Sequence, residues 1–172
     1  MHGNDENTLA DLEAFHREVD REAAALAARH LGRLRCGPRC AGCCLDGLTV
    51  LPVETERIRR GAPAVLRERP FPDGGCAFLD PAGRCRVYPF RPYVCRTQGL
   101  PLRWFEEDDA GAIRERRDVC LLNLPGPPLE ALDETDLWTI GPYEERLVEI
   151  QERFGENAER VALRAMFGKA DR

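Results

Sequence analysis

Cys36-Gly-Pro-Arg-Cys40-Ala-Gly-Cys43-Cys44 sets four thiols within nine positions, and four more follow singly at Cys76, Cys85, Cys95 and Cys120. The first 35 and last 52 of the 172 residues contain no cysteine. Gly37, Pro38 and Gly42 permit the tight turns that let closely spaced thiolates converge. Four thiolates complete a tetrahedral zinc shell or ligate one iron–sulfur cluster, so eight suffice for two such shells. The neighbours Cys43 and Cys44 serve different centres, or one of them is spare. An even cysteine count also fits four disulfides, but a reducing compartment favours metal.

The region around these thiols has little else to fold on. Between positions 36 and 120 only 19 of 85 residues are Leu, Ile, Val or Phe, near the level at which a charged chain stays disordered. A structural metal supplies about 10–16 kcal/mol in small zinc modules, and that becomes folding energy because the site is absent from the unfolded chain. The central segment is therefore expected to fold around its ligands.

Outward from the cysteines the pattern turns helical. Leu9, Leu12, Phe15, Val19, Ala23, Leu26, His30 and Leu34 recur at steps of three or four, which predicts an amphipathic helix from Asn7 to about Leu34. Leu48–Leu51 reads as a short strand, Pro52 to about Arg60 as a helix, and 63–68 as a brief helix before loop. Cys76–Leu79 and Cys85–Tyr88 flank Asp80-Pro-Ala-Gly-Arg84, which predicts a hairpin presenting two thiols together. A second hairpin is expected from Gly99–Phe105 and Ala112–Arg117, then helices over Pro142–Phe154 and Glu156–Phe167 broken at Gly155. The expected fold is α+β: a small irregular metal-centred core with β-hairpins, enclosed by N- and C-terminal helices. One domain over 1–172 would comprise a helix at 1–35, the cysteine-cluster core at 36–120 and C-terminal helices at 121–172.

Charge narrows the function. The net charge of -5 disfavours general nucleic-acid binding and attraction to anionic membrane. Only positions 36–120 are net positive, with 14 basic against 12 acidic residues. No apolar run approaches the roughly 20 residues of a membrane span, and the acidic N-terminus lacks the features of a secretory signal, so a cytoplasmic location is expected. His30 on the apolar face is expected to be packed or capped, not a ligand. Arg84, Arg86, Arg91 and Arg96 lie among the later cysteines, and one or two of them, led by Arg91, are expected to donate to thiolate sulfurs. Glu54, Glu56, Asp80 and Tyr88 are read as helix, turn or packing residues, without a catalytic role.

The runs Cys36–Cys44, Cys76–Leu79 and Cys85-Arg-Val-Tyr88-Pro-Phe-Arg91-Pro92-Tyr-Val-Cys95-Arg96 resemble the bacterial YkgJ-like cysteine-cluster family over about residues 36–120. The resemblance implies chelation of zinc or iron through the cysteines. It gives a candidate ligand set of Cys36, Cys40, Cys43, Cys44, Cys76, Cys85, Cys95 and Cys120. Eight sulfur donors without histidine favour an iron–sulfur cluster over zinc, serving electron transfer or a structural centre. Flagellin lysine N-methylases resemble relatives with a similar cluster, which raises a methyltransferase-like or redox enzyme using S-adenosylmethionine as the alternative. The spacing Cys36-x3-Cys40-x2-Cys43 also matches a radical S-adenosylmethionine cluster, but the chain lacks the alternating strands and helices of the barrel that chemistry uses. A third reading has the acidic helices at 142–167 and exposed arginines binding a protein partner of unknown identity, with the metal holding the fold.

Overall fold

A computed structural model describes residues 2–37, 39–155 and 157–168. The first helix, α1 (His2–Arg29), carries the expected stripe: Leu12, Phe15, Val19, Ala23 and Leu26 are all buried. It stops short of Leu34. His30 and Arg33 form a closing turn in which the His30 ring meets the Asp136 carbonyl at 2.8 Å, and Gly32 contributes poor helix propensity. His30 is thus packed and engaged, as its place on the stripe predicts.

The expected strand shrinks to β1 (Thr49–Val50) and runs directly into α2 (Pro52–Gly61), with Pro52 in the first turn where no N–H is required. Residues 65–67 form a single 3₁₀ turn. Tyr93–Arg96 make a one-turn helix, α3, around Cys95. The second hairpin is present as β2 (Leu102–Glu107) and β3 (Ile113–Asp118), antiparallel with Leu102 opposite Asp118. β4 (Trp138–Thr139) adds in parallel to β2, and α4 (Gly141–Phe154) follows at once. The α+β class therefore holds, with helices at both ends of a cysteine-bearing centre.

Two expectations fail. No helix forms over 156–167; that stretch, of which Glu156 lies outside the described residues, contains β5 (Val161–Ala162) and a 3₁₀ turn at Leu163–Met166. The cause is tertiary. Buried Gln151 donates to the carbonyls of Gly155 and Asn157 and accepts the Val53 N–H at 2.8 Å, turning the chain back so that β5 pairs antiparallel with β1. Between Cys76 and Tyr88 the turn is as expected, but the strands reduce to one bridge, Leu79 opposite Cys85. The Asp80 N–H on the Arg84 carbonyl and the Arg86 N–H on the Phe78 carbonyl close that bridge; beyond it the Ala77 carbonyl accepts the Phe71 N–H and the Cys76 N–H goes to the Cys44 carbonyl, leaving no ladder to extend.

Two apolar clusters result. One joins α1, α2 and α4 through Phe15, Val53, Leu147 and Ile150, capped by Tyr93 and Trp138, whose indole N–H donates to the Tyr93 hydroxyl at 3.0 Å. The other lies under the cysteines: Phe78, Ile58, Val87, Met166 and Phe167 with buried Cys76, against which Cys44 and Cys85 pack. Helix α2 contributes to both, so the cysteine region is fastened to the helical layer along one element. Among the described residues no helix is long and apolar enough to cross a membrane.

Candidate metal centre

All eight cysteines carry free thiols, and they differ in exposure: Cys36 is exposed, Cys76 buried, and the other six intermediate. The first loop is bent by its backbone. Arg39 has φ of 70°, the positive value that costs a non-glycine residue roughly 1–2 kcal/mol, and the Cys40 N–H closes the turn on the Gly37 carbonyl. The Arg39 carbonyl faces Gly83 at the tip of the Asp80–Arg84 turn, where a Cβ would stand 3.6 Å away. Asp80 holds that turn by accepting the N–H groups of Ala82 and Arg84 at 2.9 and 2.8 Å.

Cys36 is held from the far end of the segment. Asn123, fully buried, donates its amide N–H to Cys36 Sγ at 3.3 Å and to the Gly99 carbonyl at 2.8 Å, while its Oδ1 accepts the Arg35 N–H. Gly99, at φ of 94°, lets the backbone pass beneath the sulfur; a Cβ there would lie 2.6 Å from Cys36 Sγ. The Asn123 N–H itself bonds the Cys120 carbonyl at 2.7 Å, so one residue ties Cys36 to Cys120. Burial pushes the Cys36 thiol up, the Asn123 donor opposes this, and the neighbours Cys40, Cys120 and Cys43 raise it further.

The later thiols form a second neighbourhood. Burial raises Cys76 and Cys85, and each sulfur is answered by the backbone N–H two residues on, from Phe78 and Val87. Arg164 and Arg86 pull the Cys76 thiol back down, as Arg91 and Arg86 do for Cys85. Cys95 is pushed up to about 12, by burial first and then by Cys76, Cys85, Glu54 and Cys43. Cys43 and Cys44 share a sulfur–sulfur hydrogen bond that draws Cys43 down and Cys44 up, and Cys76 and Cys95 also raise Cys44.

The arginines are placed differently from expectation. Arg91 does not donate to sulfur: it bonds Asp20 Oδ1 at 2.7 Å and the Tyr88 carbonyl, and stacks on the Tyr88 ring at 4.2 Å. Arg96 also goes to Asp20, Arg84 to Asp80, and Arg86 to Glu68 and the Ala77 and Phe78 carbonyls. Their carboxylate and carbonyl partners are stronger acceptors than a thiol, so their effect on the cysteines acts through space. Sequence reasoning missed Asn123 and Arg164. Neither lies inside the cysteine motifs, and only the fold brings them there.

The donor set suits a thiophilic metal. The sulfurs are free, and those of Cys36, Cys76 and Cys85 are already met by N–H donors, the interactions that orient and tune metal thiolates. The nearby carboxylates are otherwise engaged: Glu54 accepts the Tyr93 N–H at 2.7 Å and Asp46 pairs with Arg164 at 2.8 Å. As the side chains stand, no three His, Cys, Asp or Glu among the described residues converge on one point that would hold an ion. Holding an ion there would require deprotonated sulfurs to turn toward a common charge.

Comparison with known proteins gives one match. Residues 35–120 fit the model of the CxxCxxCC family, described as a "putative zinc- or iron-chelating domain". No curated protein and no solved structure matches. The chain has one more residue between its first two cysteines than that family's name spells, and the extra length falls in the loop where Arg39 adopts its left-handed turn.

Proposed function

The chain belongs to the CxxCxxCC family of zinc- or iron-chelating domains, and on that premise we propose that its cysteines hold an iron–sulfur cluster or zinc, with iron–sulfur favoured. The observation that carries this reading is the gathering of free thiols on one apolar floor: Cys44 and Cys85 pack against the cluster of Cys76, Phe78, Ile58 and Val87, and the Cys76 N–H bonds the Cys44 carbonyl at 2.8 Å. Neither His30 nor His16 joins it: His30 is bonded to the Asp136 carbonyl, and His16, buried on α1, stands beside Glu54. All-sulfur donor sets select zinc or iron–sulfur over harder metals. Bound iron would supply one-electron chemistry, whereas zinc in a closed thiolate shell would supply folding energy alone.

The chain's own contribution is to collect and shield the sulfurs. The Asp80 turn brings Cys76 near Cys85, α3 packs Val94, the neighbour of Cys95, on the same floor, and the Phe78 and Val87 N–H groups would offset charge on the thiolates. The methyltransferase-like alternative draws no support from the family match. Anaerobic purification followed by iron, zinc and acid-labile sulfide analysis with a visible spectrum tests the reading. Iron with sulfide and a thiolate-to-iron band is expected. Stoichiometric zinc in a colourless sample would remove the electron-transfer role and leave a structural centre.

A further inference from the structure

We infer that the eight thiols serve two separate centres, with the division between the adjacent residues Cys43 and Cys44: an outer set of Cys36, Cys40, Cys43 and Cys120, and an inner set of Cys44, Cys76, Cys85 and Cys95. The inference rests on the chelation reading and adds the partition of ligands.

Backbone geometry draws the line. Cys44 is bound into the later cysteines, since its carbonyl accepts the Cys76 N–H at 2.8 Å, Leu79 bridges to Cys85, and Cys44, Cys85 and Val94 pack on the cluster that contains Cys76. Cys36 and Cys120 are bound to each other through Asn123 and belong to a different wall, built on Gly99 and the segment after β3. Cys43 borders both sets, and fourfold coordination assigns it to the outer one, which otherwise has three thiols.

The two centres are unequal. The inner set includes the buried Cys76 and rests on Phe78 and Ile58, so its metal is shielded and structural. The outer set includes the exposed Cys36 and lies on the strained loop at Arg39, so its metal exchanges first.

Anaerobic reconstitution of the metal-free full-length chain with cadmium-113, a thiolate-seeking ion with the closed shell of zinc, reads the centres separately by NMR. Two cadmium resonances are expected. Cys36→Ser and Cys120→Ser should each abolish or shift one and spare the other; Cys85→Ser and Cys95→Ser should reverse that pattern. A chelator should bleach the outer signal first. The two outer variants keep the test decisive if the inner ones fail to fold, because their effect must be confined to one signal. A single resonance perturbed by outer and inner variants alike would overturn the partition while leaving chelation intact. Failure of the wild-type chain to bind cadmium would instead remove the chelation reading beneath it.

Discussion

The side-chain amide of Asn123 reaches Cys36 Sγ at 3.3 Å across 87 positions of sequence, joining the residue after the last cysteine turn to the first cysteine of the chain. The same side chain satisfies the Gly99 carbonyl and the Arg35 N–H, and it is wholly buried. Asn123→Ala leaves those groups without partners, at a cost of about 1–3 kcal/mol for each one left unsatisfied. We expect urea unfolding to show a loss on the order of 2–4 kcal/mol and chelators to strip metal faster. Asn123→Asp keeps the acceptor but sets a negative charge beside a thiolate, so it should release metal faster still. Unchanged release in both variants would mean that the amide does not serve the sulfur.

Arg39 offers a stabilising change. Its φ of 70° is strained for any residue with a Cβ, whereas glycine adopts it freely. Arg39→Gly should raise stability by up to about 1 kcal/mol, and Arg39→Val should lower it by a similar amount. Thermal unfolding of the metal-loaded chain ranks the three. Indistinguishable midpoints would show that the loop takes another conformation once metal is bound.

His16 sets a pH dependence. Its ring is buried with both nitrogens unpartnered, since Nε2 stands 3.5 Å from Glu54 Oε1, at the limit of a useful hydrogen bond. Burial lowers its proton affinity below the ordinary 6.5; Glu54 opposes this, while Arg96 and Arg57 reinforce it. A histidine that folds neutral contributes stability that is full above its unfolded value and lost as pH falls below 6.5. Stability should therefore drop between pH 7 and 5 with a slope of up to about 1.4 kcal/mol per pH unit. His16→Gln should flatten that slope. An equal slope in the variant would place the sensitive group elsewhere.

Arg164 fastens the C-terminal turn to the cysteine floor. Its guanidinium donates to Asp46 and to the carbonyls of Phe71 and Gly75 at 2.8, 2.7 and 2.9 Å. Arg164→Lys loses the forked geometry, so its melting temperature should fall by a few degrees, nearly as far as that of Arg164→Ala. Arg114→Ala, on the exposed hairpin where the partner is Asp108, should alter neither melting temperature nor metal content. A lysine variant matching the wild type would reduce the contact to simple charge.

Much of this was legible in the sequence because periodicity reports burial. The α1 stripe, the Pro142 helix start and the second hairpin each follow from local pattern, and Leu12, Phe15, Val19, Ala23 and Leu26 are buried as that pattern requires. What escaped depends on distant partners. Residues 161–162 pair with β1 because Gln151 turns the chain, which no local propensity encodes. Its position in sequence points Arg91 toward sulfur, but Asp20, 71 positions away, captures it. Asn123 lies outside every cysteine run, so its role depended on knowing where the end of β3 delivers the chain.

The central claim is that metal organises the cysteine segment. Hydrogen exchange of the full chain, measured anaerobically before and after complete removal of metal, tests it most directly. We predict that amides across 39–48 and 71–90 lose protection while those of α1, α2 and α4, packed through Phe15, Val53, Leu147 and Ile150, retain most of theirs. Unchanged protection across 39–48 and 71–90 in the metal-free chain would contradict the account.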